Sequence, residues 1–399
     1  MMMRLLSPAC VLTVALTCVL ALGSCATYAP VRVAEPVDYG RPLPAGADAL
    51  IKLGPGEKAP SMRSTWFERA EITPALERSL SFTRSKHAAQ FFPIAGVTHA
   101  RAIASLERFG EILEGSRSAD EFERAFSAEF DVYKSAGWNG TGGGVLFTAY
   151  CTPLLPGSLR PTPEYSHPLH ALPPDLVKSD NGTILGQETP SGIRPYPTRE
   201  VILRDAAYQP LELVWLKDPL DAYIAHVNGS AFVELPTGEI ARFGYAGKNG
   251  RPYTSLGKAL ISAGEVPAEE MSLAAIRRWG RQNPSRVPGF LSKNQSYVFF
   301  TPIEGNPRGS LNVEVTAMRS LATDKSLFPR GGLCFVDAEL PTPAGPSAPF
   351  RQLMLDQDTG GAIRTAGRAD IYLGVGPRAE RLSGATRSPG QLYYFFLAE

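Results

Sequence analysis

The spacing of apolar residues predicts two helices in the first third of the chain. In the first, apolar side chains recur at three- and four-residue steps between Thr98 and Gly115: Ile103, Leu106, Phe109 and Leu113. This is the period of one helix face, with typical residues at its start and end. Ser118 and Glu121 then form a capping-box pattern. Four aromatic residues follow at helical spacing, and we expect all of them in the core: Phe122, Phe126, Phe130 and Tyr133.

From Gly140 the pattern changes to short apolar runs separated by glycine and proline, which is typical of strands and turns. Residues 142–150 predict a glycine turn and a strand, and the many prolines of 153–197 predict a loop. Further strands are predicted at 201–203, 213–216, 223–227, 231–235 and 240–245, the last two as a hairpin. Short helices are predicted near 255–262 and 272–279, and strands again from Tyr297 onward. The pattern indicates a β-rich α+β fold with barrel-like β domains.

The first residues of the chain predict export and lipid attachment. Arg4 precedes an apolar run, Ala9 to Leu22, that has the length of a signal-peptide core and is short for a membrane span. The run ends in Leu22-Gly23-Ser24-Cys25, which resembles the lipobox in which a bacterial lipoprotein is acylated on cysteine. The alternative is an ordinary secretory signal with a chance cysteine. Because alanine and not aspartate follows Cys25, we expect a periplasmic protein held by acyl chains at the outer membrane.

Charge and cysteine content narrow the classes of partner and cofactor. The chain has 40 Lys and Arg residues against 39 Asp and Glu, a formal net charge of +1 without a basic stripe, so no nucleic-acid partner is expected. In the folded part only Cys151 and Cys334 remain, and their pairing stays open. Neither these cysteines nor the five histidines have the spacing of a zinc site. We predict no metal and no cofactor.

Candidate chemistry concentrates in one run of residues near the C-terminus. The run is Asp356-Gln357-Asp358-Thr359-Gly360-Gly361-Ala362-Ile363, and Asp370 follows it. A carboxylate one residue before two glycines stands where the backbone can approach a ligand closely. The alternative is that Asp358 is a turn residue that accepts backbone hydrogen bonds. Asp324, a third acid in this half, looks by itself like a loop residue. Because no nucleophile-elbow or phosphate-loop motif is present, the candidate chemistry rests on carboxylates.

An ordered set of segments resembles the membrane-bound lytic murein transglycosylase A (MltA) family. The principal segments are Phe147-Thr148-Ala149-Tyr150, residues 242–250 and the run around Asp358. Further matches, in the family's order, lie at 196–199, 215–221, 227–230 and 294–300. The C-terminal part, with Asp324, Asp358 and Asp370, resembles the three-aspartate (3D) domain of that family. Together these segments span about two thirds of the chain, from Val145 to the C-terminus.

The resemblance implies a fold. It is a double-psi β-barrel built from N- and C-terminal parts, interrupted by a second, smaller β-barrel-like domain, with a glycan strand bound in the groove between them. The implied divisions are a lipoprotein signal peptide (1–24), a tether (25–60), helices and the first part of the barrel (61–154), an inserted β domain (155–293) and the C-terminal part of the barrel (294–399).

The resemblance also implies the roles of individual residues. Asp358 takes the place of the family's catalytic acid and base, with Asp370 and Asp324 in support. The substrate-binding residues would be those in motifs that line or shape the groove: Thr148, Tyr150, Arg199, Asp218, Asp221, Asn228, Ser230, Tyr245, Lys248, Asn249, Gly360 and Gly361. The chain departs from the family's pattern where Asn228 replaces a usual glutamine and Gln295 a usual proline. Since asparagine is one methylene shorter, a hydrogen bond to sugar there would be lost or would need water.

The implied reaction is cleavage of the β-1,4 bond between N-acetylmuramic acid and N-acetylglucosamine in peptidoglycan, without water, leaving 1,6-anhydromuramic acid ends. Asp358 must then be protonated beforehand, so we expect burial or Asp370 to raise its pKa. Two alternatives stay open: a hydrolase that uses two carboxylates, and a lipoprotein that binds peptidoglycan without cutting it. The implied partners are glycan strands, the membrane, and cell-wall synthesis or division complexes, with the protein itself a monomer.

Overall fold

The computed structural model describes residues 37–179 and 182–399. All of these residues belong to one compact unit, Val37–Glu399. The predicted signal peptide and the predicted acylation site at Cys25 lie outside the described residues. Within the described ranges, no helix has the length and apolar character that a bilayer crossing needs.

Helices and strands occur largely in separate runs along the described chain. The helices are α1 Arg63–Phe67, α2 Arg69–Thr83, α3 Lys86–Ala89, α4 His99–Gly115, α5 Ala119–Glu129, α6 Arg199–Arg204, α7 Pro219–Asn228, α8 Leu256–Ser262, α9 Leu273–Gln282, α10 Val287–Leu291 and α11 Pro377–Ala385. The strands are β1 Leu50–Lys52, β2 Phe130–Ser135, β3 Val145–Thr152, β4 Leu154–Ser158, β5 His167–His170, β6 Leu176–Lys178, β7 Ile184–Thr189, β8 Gly192–Arg194, β9 Glu212–Leu216, β10 Ala231–Glu234, β11 Ile240–Lys248, β12 Val298–Pro302, β13 Ser320–Ala322, β14 Leu333–Pro341, β15 Ser347–Asp358, β16 Arg368–Val375 and β17 Arg387–Leu397. The prediction of a sheet-rich α+β fold is confirmed.

Strands from both ends of the described chain share one sheet. Its eight described strands have the order β1-β2-β17-β14-β15-β13-β16-β3. Strand β17 also pairs with β3 over Arg387–Gly390. The last strand in this order is therefore hydrogen-bonded to the third, and the strands from β17 to β3 form a ring. Strand β1 lies within the segment predicted as a tether, and its Leu50 is buried. Residues 50–52 are therefore part of the folded unit, although the predicted tether extends to residue 60.

The two faces of this sheet contribute to two different cores because side chains alternate along a strand. Val336 of β14 packs in the core enclosed by the strands. Its neighbour Phe335 packs on the opposite face, in the core shared with helices α2, α4 and α5. There Phe126 of α5 contacts Phe395 of β17 edge-to-face, with ring centroids 5.1 Å apart. The helical layer thus covers the outer face of the sheet.

Both helices predicted from apolar spacing are present as α4 and α5. Their caps form as predicted, since the Thr98 and Ser118 hydroxyls accept hydrogen bonds from backbone N–H groups in the first turn. One detail is wrong, because α5 ends at Glu129 and the chain continues directly into β2. Phe130 and Tyr133 therefore lie on a strand and not on the helix face. Phe130 is buried as expected, whereas Tyr133 is only half-buried.

The region predicted as a loop, 153–197, instead contains strands β4 to β8. Strands β4 and β5 join β9 to β12 in a six-stranded sheet of the described residues, and β6, β7 and β8 form a smaller one. Proline at a sheet edge removes no ladder hydrogen bond that a neighbour needs, and β5, which contains Pro168, is an edge strand. Frequent proline was therefore a poor sign of loop structure in this region.

Two predicted strands are helices. Residues 201–203 belong to α6 and residues 223–227 to α7. Helix α7 begins after Asp218, whose carboxylate accepts the Leu220 N–H at 2.8 Å, and ends at Gly229 in the left-handed region. Its side chains are buried on nearly all sides, so the sequence lacks the periodic polar face that identifies a surface helix. The predicted hairpin β10–β11, the strand at 213–216, and helices α8 and α9 are confirmed.

The two cysteines of the described residues do not pair. Cys151 on β3 and Cys334 on β14 are both buried free thiols. Burial raises the pKa of Cys151 to about 11, so its reactive thiolate is scarce at neutral pH.

The burial of His170 in the six-stranded sheet predicts that the folded state loses stability in acid. Burial lowers the pKa of His170 to about 4, whereas an unfolded histidine titrates near ~6.5. The unfolded chain therefore binds a proton first, and stability is lost as pH falls from about 6.5 to about 4, by roughly 3 kcal/mol for this residue. Chemical unfolding of His170→Gln should depend less on pH over that window. If the free energy of unfolding of His170→Gln depends on pH as steeply as that of the exposed control His87→Gln, the assignment is contradicted.

Candidate active site

A β-bulge shapes the end of strand β15. Leu321 of β13 pairs with Asp356, but the next residue, Ala322, pairs with Asp358, so Gln357 is extra. Such an insertion changes the direction of the side chains around it. The three polar side chains consequently reach different partners: Asp356 contacts Lys325, the Gln357 amide donates to the Ala75 carbonyl at 2.7 Å, and Asp358 contacts Tyr150.

The half-buried carboxylate of Asp358 accepts three hydrogen bonds. Its Oδ2 accepts from the Tyr150 hydroxyl at 2.7 Å. Its Oδ1 accepts from the backbone N–H groups of Ser310 and Thr359, both at 2.8 Å. Because an N–H group can only donate, Oδ1 cannot carry a proton while both bonds last. A proton on this carboxyl therefore belongs on Oδ2.

Asp358 and Asp370 are electrostatically coupled acids. Burial raises the pKa of Asp358, and the bonds from Tyr150, Thr359 and Ser310 only partly offset that effect. Burial also raises the pKa of Asp370, to about 6, against the opposing effects of the Thr148 hydroxyl and Arg368, and the charge of Asp358 raises it further. When one of two nearby carboxyls ionises, the other holds its proton more tightly.

Strand β3 supplies the partner of each acid. It runs parallel to β16, with Thr148 opposite Asp370 and Tyr150 opposite Tyr372. The Thr148 hydroxyl donates to Asp370 Oδ1 at 2.7 Å. The rings of Tyr150 and Tyr372 lie 5.1 Å apart. Alternate residues of one strand point to the same face, so Thr148 and Tyr150 both reach the acids.

A buried ion pair lies behind Asp358. Asp356 is completely buried and contacts Lys325, and it also accepts from the hydroxyls of Thr323 and Tyr394, each at 2.8 Å. The Thr323 N–H donates to the Asp358 carbonyl at 3.1 Å, which connects the pair to the acid's backbone. Sequence reasoning gave Lys325 and Asp356 no role. The sequence did contain a signal for Asp356, because this acid directly follows three apolar residues, 353–355, in a region predicted as strand.

The two glycines that follow Thr359 differ in their surroundings. Neither has a positive φ, so they are not needed for an unusual backbone conformation. A Cβ on Gly360 would lie 3.1 Å from the Ile363 side chain, whereas a Cβ on Gly361 would meet no atom of a non-neighbouring residue within 4 Å. Open space is therefore present at Gly361, three residues after Asp358.

Asp324 holds the loop that follows Asp358. It is buried, and its carboxylate accepts from the Thr365 N–H at 3.0 Å and from the Ser326 hydroxyl at 2.7 Å. Burial by itself would raise the pKa of Asp324, but these hydrogen bonds lower it. Thr365 has a φ of +80°, which is strained for a β-branched residue. The position of Asp324 fits support of a strained turn.

Three predicted groove residues are buried and contact other protein groups. The Arg199 guanidinium donates to the Asn294 and Ser296 carbonyls at 3.2 and 2.7 Å. The Asn249 amide donates to the carbonyls of Pro197 and Gln295, each at 2.9 Å. The Ser230 hydroxyl lies 3.2 Å from that of Thr152.

Helix α7 carries three more predicted residues, each with a partner in the protein. Asp218 caps its start, and the Asn228 amide donates to the Ile224 carbonyl at 2.9 Å. Asp221 is buried and contacts Arg277 of α9, which also contacts Glu380 of α11 at 2.9 Å. Tyr245 and Lys248 on β11 are exposed, and Tyr245 is 48% accessible.

Among the described residues, no group of three or more His, Cys, Asp or Glu side chains is arranged to hold a metal ion. The chemistry available at the site itself is proton transfer by Asp358 and Asp370, next to hydroxyl and N–H donors.

The fold and site define a sheet-rich α+β protein in which two coupled aspartates lie next to hydroxyl and N–H donors. Two family models match the chain: the MltA specific insert domain over residues 146–301 and the 3D domain over residues 319–396. The chain therefore carries one segment that matches the MltA specific insert domain and a second that matches the 3D domain, each covering less than half of its length.

Named relatives are similar to part of the chain. The membrane-bound lytic murein transglycosylase A of Vibrio cholerae is 34% identical over 257 residues, 63% of this chain and 65% of that protein. The protein of that name from Escherichia coli K12 is 32% identical over 256 residues, with the same coverage. The chain thus matches just under two thirds of the length of each.

Solved structures match over more of the chain. A membrane-bound lytic murein transglycosylase from Agrobacterium tumefaciens is 27% identical with a TM-score of 0.73, over 88% of this chain and 98% of that one. Escherichia coli MltA with bound chitohexaose is 25% identical with a TM-score of 0.66, over 92% of this chain and 100% of that one.

Removal of the Tyr150 hydroxyl should raise the pKa of Asp358. Tyr150→Phe takes away a donor to the ionised carboxylate, and a hydrogen bond to a charged group is worth about 1.5–3 kcal/mol, or roughly one to two pKa units. Carboxyl ¹³C NMR titration, assigned with Asp358→Asn, measures the shift. Tyr372→Phe is the matched control, because that hydroxyl contacts Thr152. Equal midpoints in the two variants would contradict the role given to Tyr150.

Proposed function

We propose that this chain is a lytic transglycosylase of peptidoglycan. It would cleave the β-1,4 bond between N-acetylmuramic acid and N-acetylglucosamine and leave 1,6-anhydromuramic acid ends. The observation that carries this proposal is the Asp358 carboxyl, whose pKa burial raises and whose Oδ2 is the oxygen able to carry a proton. The names of the relatives, and chitohexaose bound to Escherichia coli MltA, support a glycan substrate.

The first step is general acid catalysis by Asp358. Oδ2 gives its proton to the glycosidic oxygen, the bond from that oxygen to C1 of muramic acid breaks, and N-acetylglucosamine leaves with a free hydroxyl. Positive charge develops at C1. The carboxylate left behind is stabilised by the Tyr150 hydroxyl and by the Ser310 and Thr359 N–H groups, which are already in place when the charge forms.

In the second step the same carboxylate acts as the base. Oδ2 takes the proton of the muramic acid C6 hydroxyl while that oxygen bonds to C1 and closes the anhydro ring. The proton is back on Asp358, and no water has been consumed. Asp370 is a second acid beside it, whose pKa burial raises to about 6. When Asp370 is ionised, its charge favours the proton on Asp358 and the positive charge at C1.

The predicted substrate-binding residues fall into two groups. Those beside the acids or exposed are proposed to contact glycan: Thr148, Tyr150, Tyr245, Lys248, Gly360 and Gly361. Those with protein partners are proposed to shape the site: Arg199, Asp218, Asp221, Asn228, Ser230 and Asn249. Exposed tyrosine suits this role because a sugar face packs well on an aromatic ring that keeps a polar tip.

The finer architecture belongs to the same proposal. The ring formed by β17, β14, β15, β13, β16 and β3 supports a double-psi barrel, and residues 155–293 would be its inserted domain. The lipobox-like residues up to Cys25 support a lipid anchor at the periplasmic face of the outer membrane, and the relatives are named membrane-bound. The monomeric state and the cell-wall complexes stay predictions.

Digestion of purified sacculi tests the proposed reaction. The protein from residue 26 onward should release muropeptides lighter by one water than hydrolytic products, as read by mass spectrometry. Asp358→Asn should lower that rate by at least ~100-fold, the usual contribution of a general acid. Asp337→Asn, which changes a half-exposed aspartate on β14, should retain it.

Other products would contradict the proposal in recognisable ways. Full-mass reducing ends would indicate hydrolysis with Asp370 as the second carboxylate. Binding to sacculi without any soluble product would indicate a binding protein.

A further inference from the structure

A loop between β12 and β13 covers one side of Asp358. We call residues 307–316 the cover loop. It is a narrow turn, in which the Gly309 N–H donates to the Val313 carbonyl at 2.9 Å and the Val315 N–H donates to the Pro307 carbonyl at 3.0 Å. These bonds give the loop a defined backbone next to the acid.

The cover loop touches the acid through its backbone. The Ser310 N–H donates to Asp358 Oδ1 at 2.8 Å. A Cβ on Gly309 would lie 3.1 Å from the Asp358 carboxyl carbon and 2.7 Å from the Gln357 carbonyl oxygen. The loop backbone therefore lies so close to Gln357 and Asp358 that residue 309 must be glycine.

Helix α2 supports the cover loop. The Arg78 guanidinium donates to the Thr316 hydroxyl at 2.7 Å and to a Glu314 carboxylate oxygen at 2.9 Å. Leu311 of the loop is buried in a small apolar cluster with Phe82 and Ala88. One ionic and one apolar contact thus fix the part of the loop that follows Ser310.

The same helix also holds the strand that carries the acid. The Gln357 amide donates to the Ala75 carbonyl at 2.7 Å and to the Ser79 hydroxyl at 3.0 Å. Helix α2 therefore fixes both the residue before Asp358 and the loop above it. Neither α2 nor the cover loop lies within the two segments that the family models match, 146–301 and 319–396.

We propose that helix α2 and the cover loop form a positioning unit for Asp358, in which Arg78 is the positioning residue that keeps the Ser310 N–H on Oδ1 and so directs the exchangeable proton to Oδ2. Its catalytic consequence rests on the function proposed above, whereas the contact to Asp358 does not. Misplacement of a reacting group by about 1 Å can lower a rate ~100-fold, so a residue far from substrate can matter in this way.

The test compares two arginines of the same helix region. Arg78→Met removes both bonds to the cover loop and keeps an apolar stem. Arg84→Met is the control, because Arg84 pairs with Glu107 on α4 in an exposed ion pair. The titratable groups facing Asp358 are Tyr150, Lys325, Asp370 and Tyr372, and neither variant changes them.

Two readouts follow from the loss of one donor to the carboxylate. The NMR titration midpoint of Asp358 should move upward in Arg78→Met and stay at the wild-type value in Arg84→Met. With sacculi, kcat should fall about ten- to hundredfold with KM changed less than about twofold, and the alkaline limb of the kcat–pH profile should move to higher pH. Arg78→Lys, which keeps the charge opposite Glu314, should restore part of both.

Each outcome decides between the two proposals. An unshifted Asp358 midpoint in Arg78→Met overturns the positioning unit, whether or not the wild type cuts sacculi. A shifted midpoint with an inactive wild type supports the unit and rejects the proposed function. If Arg78→Met does not fold, Glu314→Gln removes the same ion pair from the loop side and is subject to the same criteria.

Discussion

The structure depends on one constraint, which is that a carboxyl must be desolvated enough to hold a proton and still be partly exposed. Burial alone favours the protonated form, whereas hydrogen bonds to both oxygens favour the ionised form. At Asp358 both act, and burial has the larger effect. The donors are distributed unequally, with two N–H groups on Oδ1 and one hydroxyl on Oδ2. That inequality allows one carboxyl to release a proton and take it back through the same oxygen.

The surrounding fold can be understood as the means of meeting this constraint. The bulge at Gln357 separates three polar side chains that would otherwise alternate between two faces. Asp356 pairs with the buried cation Lys325, and Gln357 binds the backbone of helix α2. Of the three side chains, only that of Asp358 is partly exposed. Strand β3 then brings Tyr150 and Thr148 to the two acids at once. Residues distant in sequence thus hold a single carboxyl.

Sequence patterns predicted the parts of the fold that are local. Helices α4 and α5 have caps and apolar spacing that can be recognised within about twenty residues. Helix α7 was missed because it is buried on nearly all sides. Strands β4 to β8 were missed because the many prolines of 153–197 resemble a loop signal, although β4 and β5 themselves contain proline. The ordered motifs indicated the family without any knowledge of these elements.

The candidate site shows the same division between local and distant information. Asp358 and its glycines lie within four consecutive residues, so the motif was visible. The Ser310–Asp358 contact joins residues 48 positions apart, and the Arg78 contacts join residues 236 and 238 positions apart. No local pattern encodes such pairs. Asp221 and Arg199 carried the residue types of a binding site, but the fold uses them in buried contacts within the protein. Burial, which decides that difference, depends on tertiary structure.

The central claim is that Asp358 cleaves the glycan without water, and digestion of sacculi in ¹⁸O-labelled water tests it most directly. The account predicts that the new muramic acid ends contain no ¹⁸O, because the C6 hydroxyl of the sugar itself closes onto C1. One ¹⁸O atom at each new end would contradict the account, since it would show that water attacked the bond.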